Sequence, residues 1–455
     1  MLTADAWYGQ WRKRELARLD RLGITYLDYT GTPPYPVSIV HQDAERLDGE
    51  ILGNPHSENG PSQASTRDLE SARAAILRFL NADAADYGVV LTANASAACR
   101  LVGEAWPFGP RRPLILSQDN HNSVNGLREF ARARDARVAT VPLDPDLRLT
   151  GAQRVLVEHA RSVGGLFAFP AQSNFSGVRH SLDLVPLARS LGHRTLLDAA
   201  GFLPTATLDL SRVPADFVAL SIYKITGYPT GIGALVARHD ALAELERPWF
   251  AGGTVDWVSV GGGRHRLRPG VQGFEDGTPP FLAAGAVAPA LDAILSVDRP
   301  RLARHLEALT GALLRGLSCL RHANGAPLVV IHGPRDVRDR GATIAITLRD
   351  PRGHVLPYWT VEGDARKGGV AVRGGCFCNP GCAEAAFGWA SGETARCLDS
   401  LGAGFTIPKF AECLGDGPVG AIRLSLGLGS LRRDVDVALA FLRGYMDRID
   451  CRTVG

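Results

Sequence analysis

The chain is almost without lysine. Only Lys13, Lys224, Lys367 and Lys409 occur among 50 basic residues, so the other 46 are arginines. No run of five or more basic residues is found and the net charge is only +3, which leaves no electrostatic footprint for a nucleic-acid binder. The nearest approach, "WRKRE" at 11–15, reads as a solvated helix face. No uninterrupted apolar stretch approaches the length of a membrane span. The N-terminal stretch has no apolar core and carries acidic residues, which argues against a secretory or transit peptide and for a cytoplasmic protein. There is no internal repeat. Eight cysteines in 455 residues are too sparse for a disulfide scaffold, and three crowd into "CFCNPGC" at 376–382. That clustering is expected of a reducing compartment, where thiols do chemistry or bind metal.

What remains is an ordinary globular composition, 45% hydrophobic and 21% charged, long enough for one large and one smaller domain. After a short strand at "ITYLDY", apolar runs alternate with helical patterns. Strands are expected at 87–92, 113–117, 137–142, 164–170, 194–199, 216–221 and 231–237. Apolar strands interleaved with helices predict a mainly parallel sheet covered on both faces, with ligands at the C-terminal strand ends. "STRDLESARAAILRFL" opens with a capping-box spacing from Ser65 to Asp68. From about 296 a long helical segment is followed by strands near 327–332, 342–347, 369–373 and 421–426 and a closing helix at 434–449. Together with the N-terminal residues this predicts a smaller α+β domain, 1–25 and 296–455, beside a large α/β domain, 26–295. The Gly- and Pro-rich stretch 249–280 reads as an irregular loop.

In an arginine-rich chain, the lysine of "SIYKITGYPTGIG" (221–233) calls for an amine: lysine can lose its proton and attack a carbonyl, whereas guanidinium does not. Lys224 closes a strand, and so does Asp198 in "LLDAAG". Alone, the first is a surface lysine and the second a helix cap. Together they offer an imine nitrogen and an anion for a ring nitrogen, the two groups that pyridoxal phosphate (PLP) requires. In "LTANASAACRLVGE" (91–104) the backbone N–H groups from Asn94 through Ala95 to Ser96, with the Ser96 hydroxyl, can hold a phosphate. His121 lies just beyond another strand end, where it is either a loop histidine or a ring to pack on a pyridine. Asn174 in "AQSNFSG" can donate to a phenolic oxygen.

This ordered set, completed by "FEDGTPPF" (274–281), "VRGGCFCNPGC" (372–382) and "AIRLSLGLGS" (421–430), resembles the class V aminotransferase superfamily. Within it the chain is most similar to the cysteine-desulfurase-like N-terminal domain of molybdenum cofactor sulfurases, from about residue 26 to the C-terminus. The resemblance implies a PLP-dependent transferase of fold type I, aspartate aminotransferase-like, with a seven-stranded, mainly parallel sheet in the large domain. It implies that Lys224 bears the cofactor, Asp198 keeps the pyridine nitrogen protonated, His121 stacks on the ring and Asn174 bonds its phenolic oxygen. Ser96, Ser221 and Tyr223 would hold the phosphate, with Thr278 reaching a neighbouring subunit's cofactor in a homodimer. Arg423 would clamp the substrate carboxylate.

Cys378 matches the sulfur-accepting cysteine of the desulfurases, a thiolate able to take sulfur as a persulfide. Cys376, two residues away, points oppositely if the segment is extended. Other readings are buried structural thiols, or a zinc site for which C-x-C-x₃-C offers three ligands and no evident fourth. Two departures from the sulfurases stand out. Gly374 replaces their usual threonine and is expected to loosen the cysteine loop; Cys382 is followed by Ala383, where they place their third cysteine. The sequence ends at Gly455, so no counterpart of their C-terminal, molybdenum-cofactor-binding domain is expected. The implied activity is conversion of L-cysteine to L-alanine, with the sulfur passed from Cys378 to an acceptor. C–S lysis, β-elimination and transamination on the same scaffold remain open, as does a non-enzymatic sulfur-relay protein.

Overall fold

The computed structural model describes residues 4–160, 164–415 and 417–449. Its centre is a seven-stranded sheet formed by β1 (Tyr87–Thr92), β2 (Leu114–Ser117), β3 (Val138–Val141), β4 (Leu166–Pro170), β5 (Arg194–Asp198), β6 (Phe217–Ser221) and β7 (Gly233–Arg238). The spatial order is β1-β7-β6-β5-β4-β2-β3, and only β7 runs antiparallel to its neighbours. All seven strands lie where the apolar runs place them. Alternate side chains serve opposite faces: Ile115, Phe167, Leu197 and Val218 join one buried cluster, and Leu116, Leu166, Leu196 and Phe217 join the other.

The sheet register brings the functional ends together. Pro170 pairs with Asp198 and Asp198 with Ala219. Residues 171–174, 198–200 and 221–224 therefore leave the sheet along one edge. Ser221 and Thr92 both pair with Gly233, so the turn into the helix Ala95–Ala105 opens on that same edge.

A second sheet gathers β8 (Val329–His332), β9 (Thr343–Arg349), β10 (Arg373–Gly375) and β11 (Ala421–Ser425) in the antiparallel order β8-β9-β11-β10, with Val355–Leu356 pairing on β9. Its apolar face packs on the helices Arg299–Ser318 and Arg432–Arg443. The N-terminal residues belong here: Thr25–Tyr26 pairs with Val370–Ala371, and Arg12 makes a buried ion pair with Asp434 at 2.7 Å.

Three expectations need correction. The helix read from Ser65 begins at Gly60, because Asn59 caps it by accepting from the Ser62 N–H and Pro61 fits its first turn. Ser65 is interior and donates to Pro61 O. The stretch 249–280 contains a hairpin, Val255–Ser259 with Arg264–Leu267, and a 3₁₀ turn, Gly270–Phe274. Its turn closes through the Gly262 N–H donating to Ser259 Oγ and Gly263 at φ +59°. Third, Cys397 and Cys413 form a disulfide between the helices Ser391–Leu401 and Ile407–Cys413. These helices pack together, a proximity that 16 residues of separation do not advertise. Among the described residues no single helix is long and apolar enough to cross a membrane.

Phe167 and Phe169 stack at 4.7 Å on one face of β4, both fully buried. Phe167→Ala should lower the unfolding free energy by about 3–5 kcal/mol, read by urea denaturation; a loss below about 1 kcal/mol would contradict this packing.

Candidate active site

A cleft of about 430 Å³ opens at the shared strand edge, lined by Ala95, Ser96, His121, Asn174, Asp198, Ser221, Tyr223 and Lys224. Sequence separation of up to 129 residues is thus closed by sheet register. Lys224 sits in the short helix Ile222–Thr226, directly after β6. Burial pushes its amine below the ordinary lysine range, opposed by the Asp198 carboxylate and reinforced by the positive charges of Arg423 and Arg373. Asp198 Oδ1 accepts from the Ala200 N–H at 3.0 Å, an Asx turn rather than a helix cap.

His121 caps the short helix Asn122–Asn125: its Nδ1 accepts from the Ser123 N–H at 3.1 Å, so the ring proton belongs on Nε2. Burial lowers its pKa, which favours a neutral, flat imidazole. The helix Ala95–Ala105 starts at Asn94, whose side chain accepts from Ala97 N–H, while Ala95 N–H donates to Ser221 Oγ at 2.9 Å. Gly233 lies so close beneath that a Cβ there would meet the Asn94 backbone at 2.5 Å, and only glycine allows the approach. Helix start, hydroxyls of Ser96, Ser221 and Tyr223, a buried amine and a carboxylate form a donor set that fits PLP's phosphate, aldehyde and ring nitrogen.

Arg423, on β11, is 3% exposed and lies beside this cleft rather than in its lining. Its Nη2 donates to Asp28 Oδ1 at 2.8 Å and its Nη1 to Asn174 O at 3.0 Å, and the Phe377 ring covers it at 4.8 Å. Nε has no partner among the described residues. Arg373 grips the same Asp28 through Nε and Nη2, the latter at 2.6 Å. One carboxylate thus faces two guanidiniums, leaving a positive surplus beside Lys224. Thr278 is exposed and lines no part of this subunit's cleft.

The three clustered cysteines have different environments. Cys378 is exposed and lies near enough to act electrostatically on both Lys224 and Arg423. Phe377 and Cys378 both have positive φ, +55° and +56°, so the segment is a tight turn and not extended chain. Cys376 Sγ donates to Val419 O at 3.2 Å, and burial pushes its thiol up to about 11. Cys382 is buried with its thiol raised further by desolvation and by Asp119. Among the described residues no group of three or more His, Cys, Asp or Glu could hold a metal ion.

Gly374 does not loosen the loop. Its N–H donates to Glu362 Oε1 at 3.0 Å, it pairs with Ile422, and a Cβ would meet Tyr358 Cδ2 at 2.5 Å and Glu362 Oε2 at 2.8 Å. Tyr358 occupies the space a threonine would need.

Sequence reasoning missed Asp28, Arg373, Asp119, Asn379 and Cys99. Asp28 and Arg373 lie inside the quoted stretches "ITYLDY" and "VRGGCFCNPGC" but carry no sign of their pairing. Cys99 lines the cleft floor, its thiol raised by burial and by Asp198.

The sequence pattern of the class V aminotransferases matches residues 25–436. The chain belongs to this family. It is 32% identical over 478 residues to a molybdenum cofactor sulfurase of Arabidopsis thaliana, covering 95% of the chain and 57% of the relative. It is 34% identical over 456 residues to the same enzyme of Bos taurus, covering 95% and 51%. The chain thus spans about half the length of the curated relatives it matches. In fold it is similar to a cysteine desulfurase of Thermococcus onnurineus NA1, with TM-score 0.78, 22% identity and 97% and 98% of the two chains covered. A cystine C–S lyase solved with its product cysteine persulfide superposes at TM-score 0.69, 16% identity and 93% and 98% coverage. These likenesses place the class V chain in fold type I of the PLP enzymes.

Two outcomes follow. Reductive methylation followed peptide by peptide against pH should give Lys224 a midpoint below the ordinary 10.5, because burial favours its neutral form; a midpoint at or above 10.5 would contradict the dry site. Gly374→Thr should displace the cysteine turn and destabilise the protein by about 1–3 kcal/mol, and adding Tyr358→Ala should recover part of that loss in thermal melts.

Proposed function

We propose that the chain is a PLP-dependent cysteine desulfurase that converts L-cysteine to L-alanine, receives the sulfur on Cys378 as a persulfide and passes it to an acceptor. The observation that carries this reading is an exposed thiol, Cys378, on a turn held through Phe377 O by Asn174, which lines the same cleft as Lys224. Lys224 would bear the cofactor, Asp198 would hold the proton on its ring nitrogen, His121 would cover the ring face and Asn174 would donate to the phenolic oxygen. The helix start at Ala95 and Ser96, with Ser221 and Tyr223, would hold the phosphate, and Thr278 of a second copy would join it in a homodimer. When bound, PLP supplies an electron sink for bond breaking at Cα and Cβ.

The remaining work falls to side chains. Arg423, oriented by Asp28 and Asn174, attracts the substrate carboxylate, with Arg373 adding a second positive charge. Lys224 Nζ, whose pKa burial lowers, takes the Cα proton. The Cys378 thiolate then attacks the substrate sulfur. Its S–S bond forms as the Cβ–S bond breaks, the electron pair of the broken bond stays on the carbon side, Cβ gains a proton, and Lys224 returns the proton it took to Cα, giving alanine and a persulfide on Cys378. The Cys376 thiol, held up at about 11 and bonded to Val419 O, stays protonated and out of this step.

The PLP-loaded protein given L-cysteine should form alanine and add one sulfur atom to the peptide bearing Cys378, read by mass spectrometry. Cys378→Ala should abolish alanine formation, and Lys224→Ala should abolish the absorbance of lysine-bound PLP. Pyruvate and ammonia as the products would instead assign the scaffold to β-elimination, the reading that the C–S lyase likeness keeps in view.

A further inference from the structure

A buried polar network lies behind the Cys378 turn. Asn379, the next residue, is fully buried. Its Nδ2 donates to Asp119 Oδ1 at 2.6 Å and to Asn174 Oδ1 at 2.9 Å, while its Oδ1 accepts from the Cys382 N–H and caps the helix Pro380–Phe387. Asp119, also fully buried, accepts from Ser173 Oγ on the same oxygen at 2.9 Å and from His180 Nε2 on the other at 2.8 Å. The turn is tied forward as well. Asn174 Nδ2 donates to Phe377 O at 2.6 Å, and Asn122 N–H donates to Cys378 O at 2.7 Å.

Asp119 precedes His121 by two residues, and Ser173 precedes Asn174 by one. One carboxylate therefore binds together the segment carrying the ring-stacking histidine, the segment carrying the ring-bonding amide and the turn carrying the thiol. A buried carboxylate is kept in place by several donors, and here they come from two segments far apart in sequence, Ser173 and His180 from one and Asn379 from the other. His180 Nε2 is the donor behind Asp119, and Arg373 and Arg423 turn to Asp28 instead.

We propose that Asp119, backed by His180 and acting through Asn379, is a positioning residue that holds the Cys378 turn in register with the cofactor face. The inference rests on Cys378 being the sulfur acceptor. Phe377 and Cys378 sit in the left-handed region, where a non-glycine backbone is held only if its surroundings impose it. Asn379 is the group placed to impose it, because its side chain meets Asp119, Asn174 and the following helix at once.

The decisive variant is Asn379→Ser, which retains a helix cap but loses the Nδ2 donor. Amide hydrogen exchange, followed by mass spectrometry on the cofactor-free protein, should accelerate at least about tenfold in peptides covering 375–380 and Asn122, with the strands β4 to β6 unchanged. In the PLP-loaded enzyme kcat for alanine should fall about 100-fold, the scale expected when a reacting group is misplaced by about 1 Å, with KM within about twofold and the PLP absorbance intact. His180→Ala should lower kcat in the same way, and His180→Gln, whose amide can donate to Asp119, should restore most of it. Unchanged exchange in Asn379→Ser, or faster exchange with unchanged kcat, would overturn the proposal. Should the unaltered protein yield no alanine and no persulfide, the desulfurase reading fails, and the exchange experiment alone decides whether Asp119 holds the turn.

Discussion

A lysine amine and a carboxylate brought to the same cleft by neighbouring strand ends are the constraint on which the site depends. Burial lowers the Lys224 pKa and the Asp198 carboxylate opposes that shift. That balance needs a dry floor and an anion at fixed reach. Both come from the parallel sheet, where the pairing of Asp198 with Ala219 puts the acid at the end of one strand and the amine a few residues beyond the end of its neighbour. The same edge receives the helix start at Ala95 and the turns carrying His121 and Asn174. One sheet register therefore assembles the whole cleft.

The second sheet contributes what the first lacks: cations for an acid group and a thiol. β11 carries Arg423, β10 leads into the cysteine turn, and Arg373 beside Arg423 shares Asp28 with it. A buried guanidinium is costly without a counter-charge, and Asp28 supplies one from the N-terminal segment. That segment also pairs Thr25–Tyr26 with Val370–Ala371, which ties the N-terminal part of the chain to this half of the site. Three cysteines within seven residues then diverge in chemistry because one is exposed, one donates to a carbonyl and one is buried.

How much of this was legible in sequence depends on whether a local signal exists. The seven strands were readable because buried parallel strands are continuously apolar, and Lys224 was readable because arginine replaces lysine nearly everywhere else. The hairpin at 255–267 was hidden by its glycines, and the helix cap was placed six residues too late because Ser65 fits a capping spacing as well as Asn59 fits the real cap. The roles of Asp28, Asp119 and Asn379 had no local signal at all, since an acid or amide in a loop looks the same whether it faces solvent or joins three loops.

Composition and pattern alone determined the alternating α/β class, the strand positions, the amine and its acid, and the cysteine-bearing segment, because hydrophobic periodicity and rare residue choices are written residue by residue. Only tertiary structure decided which cysteine is accessible, that Gly374 tightens the loop against Tyr358 where looseness was expected, that Cys397 meets Cys413, and that Asp119 anchors the thiol turn. Those outcomes are set by distances between residues far apart in the chain, and such distances exist only once the sheets have fixed their register.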